Sequence, residues 1–163
     1  MPLVYADTSV LFAFLHPRDE FALLVTEAAR RESPDFIYWS FLKFELRHNL
    51  RQARGDSYGR IAWEALRAAE RTQARLRWQK DLTCEEVLES AESLSQDHAL
   101  KCAAGSADFL HVAAARKVKH SLGLDEFWTC DGAQGAASRL AGLKTRVFEL
   151  KEPARLGSGQ PPP

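Results

Sequence analysis

Four acidic side chains stand where an acid is costly. Leu3-Val4-Tyr5-Ala6 is a short apolar run of strand formers, and Asp7 follows it at once. Phe127-Trp128-Thr129-Cys130 is a second such run, and Asp131 follows it. Glu45 interrupts the apolar stretch Phe44-Glu45-Leu46, and Asp108 falls in the first turn of Ser106-Ala107-Asp108-Phe109-Leu110. Carboxylates brought together at low dielectric repel one another, so a cluster of four calls for cations. Hard oxygen donors with no His or Cys partner select Mg²⁺ or Mn²⁺ over zinc. Ions held in this way clamp a phosphodiester and supply hydroxide for in-line attack. Each acid also has a plainer role. Asp131 can cap a helix with Gln134 completing the box, Asp108 can answer a helix dipole, and Glu45 can be a solvated helix acid. Asp7, directly after a buried strand, is the hardest to explain that way.

These acids need elements to position them. Residues 3–6 read as a strand and Thr8–Leu15 as a short helix. Pro17 suits the first turn of the next helix, which Phe21, Leu24, Val25 and Ala28 continue until Pro34 stops it. Phe36–Trp39 is a strand, and Ser40 can cap a helix carrying Phe41, Leu42, Glu45, Leu46 and Leu50. Gly55-Asp56-Ser57 predicts a break, after which Tyr58, Ile61, Ala62, Ala65, Leu66 and Ala69 recur at helical spacing. Leu76-Arg77-Trp78 reads as a short edge strand. Thr83-Cys84-Glu85-Glu86 is a capping box that opens a helix running to about Ser95. Another helix runs from Ser106 to Gly123, and Asp131 caps one of small residues ending at Gly142. Thr145–Phe148 is the last strand. Strands alternating with helices predict an α/β fold with a mainly parallel sheet, which binds ligands beyond the carboxyl ends of its strands. Asp7 and Asp131 then share one edge, with Asp125 and Glu126 at the other. The expected organisation is one domain over 1–150 and a disordered tail over 151–163.

The four positions in order resemble a PIN domain, the metal-dependent nuclease family that includes the VapC-type toxins of toxin–antitoxin pairs. Val4-Tyr5-Ala6-Asp7-Thr8-Ser9 is similar to the family's first strand, first acid and following hydroxyl residue. Ser40 with Glu45, Asp108 with Phe109 and Leu110, and Thr129-Cys130-Asp131 resemble its second, third and fourth segments. The resemblance implies a three-layer α/β/α sandwich around a short parallel sheet and cleavage of RNA with Mg²⁺ or Mn²⁺. It implies Asp7, Glu45, Asp108 and Asp131 as the metal-holding and catalytic acids. Thr8, Ser9 and Thr129 are the candidates to orient those carboxylates and the metal's waters. An antitoxin is the implied partner. The alternative is a PIN-fold module with little or no catalysis that works through RNA or protein contacts. A haloacid-hydrolase-type enzyme would want a second Asp two residues after Asp7, where Ser9 stands.

Composition bounds these readings. The 163 residues hold 22 Lys plus Arg and 22 Asp plus Glu, which argues against a uniformly basic nucleic-acid binder. Charge is nonetheless segregated: 47–80 holds nine bases and three acids, whereas 81–97 holds six acids and no base. Arg47, Arg51 and Arg54 follow Glu45 and are the candidates to bring an RNA backbone toward the metals, with Arg67, Arg71, Arg75 and Arg77 extending the stripe. Of five histidines, His48 is the one expected near the acids, as an ordinary surface histidine more than as an acid–base group. Three widely spaced cysteines exclude a disulfide framework and fit a reducing cytoplasm. Met1-Pro2-Leu3 does not read as a signal peptide, and the uncharged run Thr8–Pro17 is too short to span a bilayer. The aromatic surplus of Phe12, Phe14, Phe21, Phe36, Phe41 and Phe44 predicts a homodimer.

Overall fold

Side chains along the strands alternate between two apolar clusters, as a sheet covered on both faces requires. The computed structural model describes residues 1–72 and 75–150, with the backbone alone at 53–59 and 72. The expected tail at 151–163 lies outside the described residues. The strands are β1 (Leu3–Ala6), β2 (Asp35–Trp39), β3 (Leu76–Gln79), β4 (Glu126–Thr129) and β5 (Thr145–Val147). They form one sheet in the order β3-β2-β1-β4-β5, and every pairing is parallel. The helices are α1 (Thr8–Leu15), α2 (Ala22–Glu32), α3 (Ser40–Thr72), α4 (Cys84–His98), α5 (Ser106–Leu122) and α6 (Gly132–Leu140), with a 3₁₀ turn at Ala99–Lys101.

Val4, Ala6, Phe36, Tyr38 and Trp128 turn to one face of the sheet, where Val10, Leu11, Leu42, Leu46 and Leu66 of α1 and α3 cover them. Tyr5, Ile37, Trp39 and Phe127 turn to the other, under Val87, Leu94, Phe109 and Val112 of α4 and α5. The result is a three-layer α/β/α sandwich of the PIN-like kind. Strand order runs outward from β1 through β2 to β3 on one side and from β4 to β5 on the other. The winding therefore reverses between β1 and β4, where a parallel sheet opens its ligand crevice. Near that crevice, Gly135 of α6 has no room for a side chain, because a Cβ there would stand 2.3 Å from Val147 Cγ2 of β5.

Two expectations about helices change. Pro17 does not begin α2, which starts at Ala22. The chain instead turns twice between: Asp19 N–H bonds His16 O, Ala22 N–H bonds Asp19 O, and the Asp19 carboxylate accepts from Phe21 N–H at 2.9 Å. An Asp that satisfies the backbone locally competes with helix formation.

The second change concerns α3, helical from Ser40 to Thr72 with no non-helical residue at the expected break. It is not straight. A straight helix would hold Lys43 and Glu70 about 40 Å apart, yet Lys43 Nζ lies 2.8 Å from Glu70 Oε1. Arg47 likewise stands 5.5 Å over the ring of Trp63. Pairing 43 with 70 and 47 with 63 centres a reversal at Gly55-Asp56, so α3 is a helical hairpin with two antiparallel arms. The sequence signal marked the reversal correctly. A lone glycine costs a helix only about 1 kcal/mol, which explains why helical backbone persists on both sides.

The hairpin is pinned by buried charge. Lys43 and Glu70 side chains are 10% and 11% exposed. Tyr38 donates its hydroxyl to the same Glu70 oxygen, and Lys43 Nζ lies 3.6 Å over the ring of Trp78. Burial, aided by Glu70, pushes the Tyr38 phenol far above its usual range and keeps that proton in place. Glu70→Ala is expected to destabilise the fold by about 3 kcal/mol in denaturant titration, because it strands a buried ammonium. Ala in place of Arg77, whose exposed guanidinium pairs with Asp35, is expected to cost under about 1 kcal/mol. Equal effects would refute the pinning role.

Candidate active site

The site grows out of the turn from β1 into α1. Asp7 is the N-cap of α1, and its Oδ1 accepts from Val10 N–H at 2.8 Å. Ser9 donates to the same carboxylate at 2.7 Å, and Thr129, the last residue of β4, donates to Oδ2 at 2.6 Å. The Ser9 oxygen accepts in turn from Cys130 N–H at 2.8 Å. Asp7 is only 3% exposed. Burial raises its pKa above the usual range, against the opposing pull of Thr129, Val10, His111 and Ser9.

Glu45 reaches the crevice from the first arm of α3. Leu42, Leu46 and Leu50 face the core, while Glu45 and Asn49, four residues apart, face the cleft. Glu45 Oε2 accepts from Thr8 Oγ1 at 2.6 Å and from His111 Nε2 at 2.7 Å. Burial works to raise its pKa, but the bonds from His111 and Thr8 and the His111 charge prevail and hold it below the usual range. Asp108 lies in the first turn of α5, where its Oδ2 accepts from Gly105 N–H at 2.7 Å. Burial raises its pKa against the Gly105 bond, and the like charges of Asp131 and Glu45 add to the rise. Asp131 caps α6, its Oδ1 accepting from Ala133 and Gln134 N–H at 2.7 and 3.0 Å. The plain capping roles are therefore real, and they coexist with the clustering.

All four acids line one cleft of about 430 Å³, together with Thr8, Ser9, Phe12, Asp19, Phe21, Asn49, His111, Cys130 and Gln134. Thr8, Ser9 and Thr129 each hydrogen-bond an acid, as just described. Asp125 and Glu126 do lie at the opposite edge, where Asp125 accepts from Leu3 N–H at 2.7 Å. The histidine expectation is corrected. His48 is exposed, whereas His111 is 2% exposed and bonded to Glu45. His111 stands three residues after Asp108 on α5, and that spacing was the available signal. Its Nδ1 lies 3.4 Å from the hydroxyl of Tyr5, whose own pKa is driven far up by burial and by Asp7 and Glu45. Asp19 and Asn49 were not anticipated. Of the arginines, Arg47 lies over Trp63 and neither it nor Arg51 is among the described residues that line the cleft; the Arg54 side chain lies outside the described residues.

The donor set suits a hard cation. In Glu45, Asp108 and Asp131 the hydrogen bonds among the described residues fall on one oxygen each, which leaves the second oxygen uncommitted. Burial, then Asp7, push the Cys130 thiol up to about 12, so it supplies no thiolate. Among the described residues no three His, Cys, Asp or Glu side chains stand together at metal-holding distance. The acids ring the cleft without closing on one point.

No family model and no curated protein matches the chain. Solved structures do. VapC20 of Mycobacterium tuberculosis, a sarcin-ricin loop cleaving toxin, is 20% identical with a TM-score of 0.64, and the match covers 82% of this chain and 94% of that one. FitAcB from Neisseria gonorrhoeae is 19% identical with a TM-score of 0.56, covering 87% of this chain and 95% of that one. At these identities the likeness establishes a shared fold, the PIN-like sandwich.

Because folding raises the pKa of Asp7, the metal-free protein loses stability as pH climbs through the interval between its unfolded and folded values. Below the unfolded value that loss vanishes. Asp7→Asn removes the charge and keeps an acceptor, so it is expected to stabilise the metal-free protein by about 1 kcal/mol at neutral pH. The gain should shrink toward about pH 4, where the unfolded Asp protonates. Glu45, lowered instead, contributes equally to both proteins and cancels in the difference. Denaturant titration in EDTA across this range checks it; a destabilised variant at neutral pH refutes the burden placed on Asp7.

Proposed function

We propose that the chain is a divalent-metal-dependent endoribonuclease of the VapC toxin type. One observation carries the reading: Asp7, Glu45, Asp108 and Asp131 line a single cleft at the β1–β4 crevice. The fold shared with VapC20, a sarcin-ricin loop cleaving toxin, supports it. These four acids would hold one or two Mg²⁺ or Mn²⁺ ions. Such ions, when bound, make water nucleophilic and neutralise charge on phosphate and leaving oxygen.

The chain's own groups set the stage for that chemistry. Ser9, Thr129 and the Val10 N–H fix the Asp7 carboxylate in orientation. Thr8 and His111 keep Glu45 ionised. Burial, and then the like charges of Asp131 and Glu45, make Asp108 a weaker acid until a cation balances it. Phe12 and Phe21 line the same cleft, where apolar surface lowers the local dielectric and strengthens each of these interactions. Arg47, Arg51 and Arg54 then serve the RNA backbone outside the cleft. A cognate antitoxin is the proposed partner and the cytoplasm the proposed setting. Among the described residues no helix is long and apolar enough to cross a membrane. A second reading, a PIN-fold module that binds RNA or protein without cleaving, draws on the acids ringing the cleft without gathering at metal distance.

The deciding assay is cleavage of single-stranded RNA with Mn²⁺, with and without EDTA. Asp7→Asn is expected to lower the rate by about a hundredfold or more. Metal-independent cleavage, or equal rates for the two proteins, overturns the mechanism. RNA binding with no cleavage by either protein favours the second reading.

The proposed homodimer rests on fewer aromatics than the sequence suggested. Phe36 is buried and Phe12 and Phe21 line the cleft, whereas Phe14 is 37% and Phe44 71% exposed. Light scattering is expected to give about twice the 18.3 kDa chain mass. A monomer mass that persists as concentration rises refutes the dimer.

A further inference from the structure

An acidic cleft cannot by itself hold a polyanion. Among the described residues its lining includes five carboxylates (Asp7, Asp19, Glu45, Asp108 and Asp131) and no Lys or Arg. Affinity for a nucleic acid comes chiefly from cations that meet its phosphates. The cations are elsewhere. A groove of about 670 Å³ runs beside β3, with Arg67 and Arg71 from the second arm of α3 and Arg77 and Lys80 at the strand.

The charge balance of this groove is strongly positive. Its one acid among the described residues, Glu70, is already satisfied by Lys43 and Tyr38, and Arg67 Nε stands 3.7 Å from it. Arg77 is committed to Asp35. Arg71 and Lys80 are exposed; Lys80 Nζ lies 5.3 Å over the ring of Trp78, and no ion pair with an acid holds either one among the described residues. Helix α4, which carries most of the acids of 81–97, packs against α5 in the other layer. No ion pair joins α4 to the groove among the described residues.

Geometry then selects the ligand. Among the described residues β3 pairs with β2 alone, so its far side is an edge that none of them covers. Charged side chains such as Arg77 and Lys80 along an edge disfavour the addition of a peptide strand. One face of Trp78 is covered by Lys43 at 3.6 Å, and its N–H is spent on Ser40 at 3.2 Å, so the ring is a poor platform for a base. A line of cations without a stacking surface fits a phosphate backbone and reads no sequence. β3 is parallel to β1 through β2, so Lys80 sits toward the same carboxyl edge as Asp7, about 10 Å away across two strand spacings.

We propose that this groove holds the sugar–phosphate backbone of a single-stranded RNA flank whose scissile region enters the acidic cleft. The proposal takes its ligand from the nuclease reading. It predicts binding that is metal-independent, sequence-blind and steeply salt-dependent.

The test needs no cleavage. Fluorescein-labelled oligouridylate is titrated with the full chain in EDTA at a series of KCl concentrations, and anisotropy gives the affinity. Arg71→Glu and Lys80→Glu are each expected to weaken binding about tenfold and to flatten the salt dependence by about one ion, whereas Arg139→Glu, the same charge change in the last turn of α6, stays within about twofold. Unchanged affinity in the two groove variants overturns the proposal, as does equal weakening by all three. Loss of labelled polyglutamate binding in the groove variants, with RNA binding retained, assigns the groove to an acidic protein and also overturns it. If the groove dependence holds but cleavage is metal-independent or equal in wild type and Asp7→Asn, the nuclease reading fails and the binding of an RNA backbone by the groove stands.

Discussion

A carboxylate shut away at the end of a parallel strand must be bonded from within the protein, and Asp7 is bonded from three directions. Val10 N–H comes from the helix it caps, Ser9 from the turn, and Thr129 from the neighbouring strand. That net does more than satisfy an ion. It fixes the angle at which α1 leaves the sheet, and through Ser9 and Cys130 it ties α1 to the start of α6. The crevice between β1 and β4 keeps its shape because these segments share one anion. The other acids enter a frame already set: Glu45 is reached by Thr8 from the same turn, and Asp131 follows the strand that supplies Thr129.

The sequence made legible whatever is local. Strand followed by acid is a pattern of a few residues, and it placed Asp7 and Asp131 on the right edge of the sheet. Caps and breakers did the same for α4, α5 and α6, and Gly55-Asp56 marked the reversal in α3. What escaped was relational. Nothing near His111 says that it meets Glu45, because their contact exists only when α5 and α3 converge over the sheet. Arg47 looked close to the acids because it is close in number, but two helical residues are turned by about 200°, and the side chain goes to Trp63 instead. Asp19 reached the cleft through a turn whose course depends on its own side chain. The helix expected at Pro17 gave way to that turn.

The neutral total of the chain conceals a division of labour in charge. Acids concentrate where the winding of the sheet reverses, and bases concentrate beside its β3 edge. Between them lie only β1 and β2, with the buried Lys43–Glu70 pair holding the arms of α3 over that face. Had the two populations mixed, they would have cancelled in ion pairs of little energetic worth. Held apart by a rigid sheet, each keeps its field.

The capping bonds of Asp108 and Asp131 carry an evolutionary consequence. Each acid serves its helix through one oxygen, a task that an asparagine side chain performs nearly as well. The helices therefore depend on the shape of these residues, while any cation chemistry depends on their charge. Aspartate and asparagine codons differ by one base, so a single transition can silence the cleft without disturbing the sandwich that builds it. In such an architecture the charge of the cleft can be lost while the sandwich and its surfaces are kept.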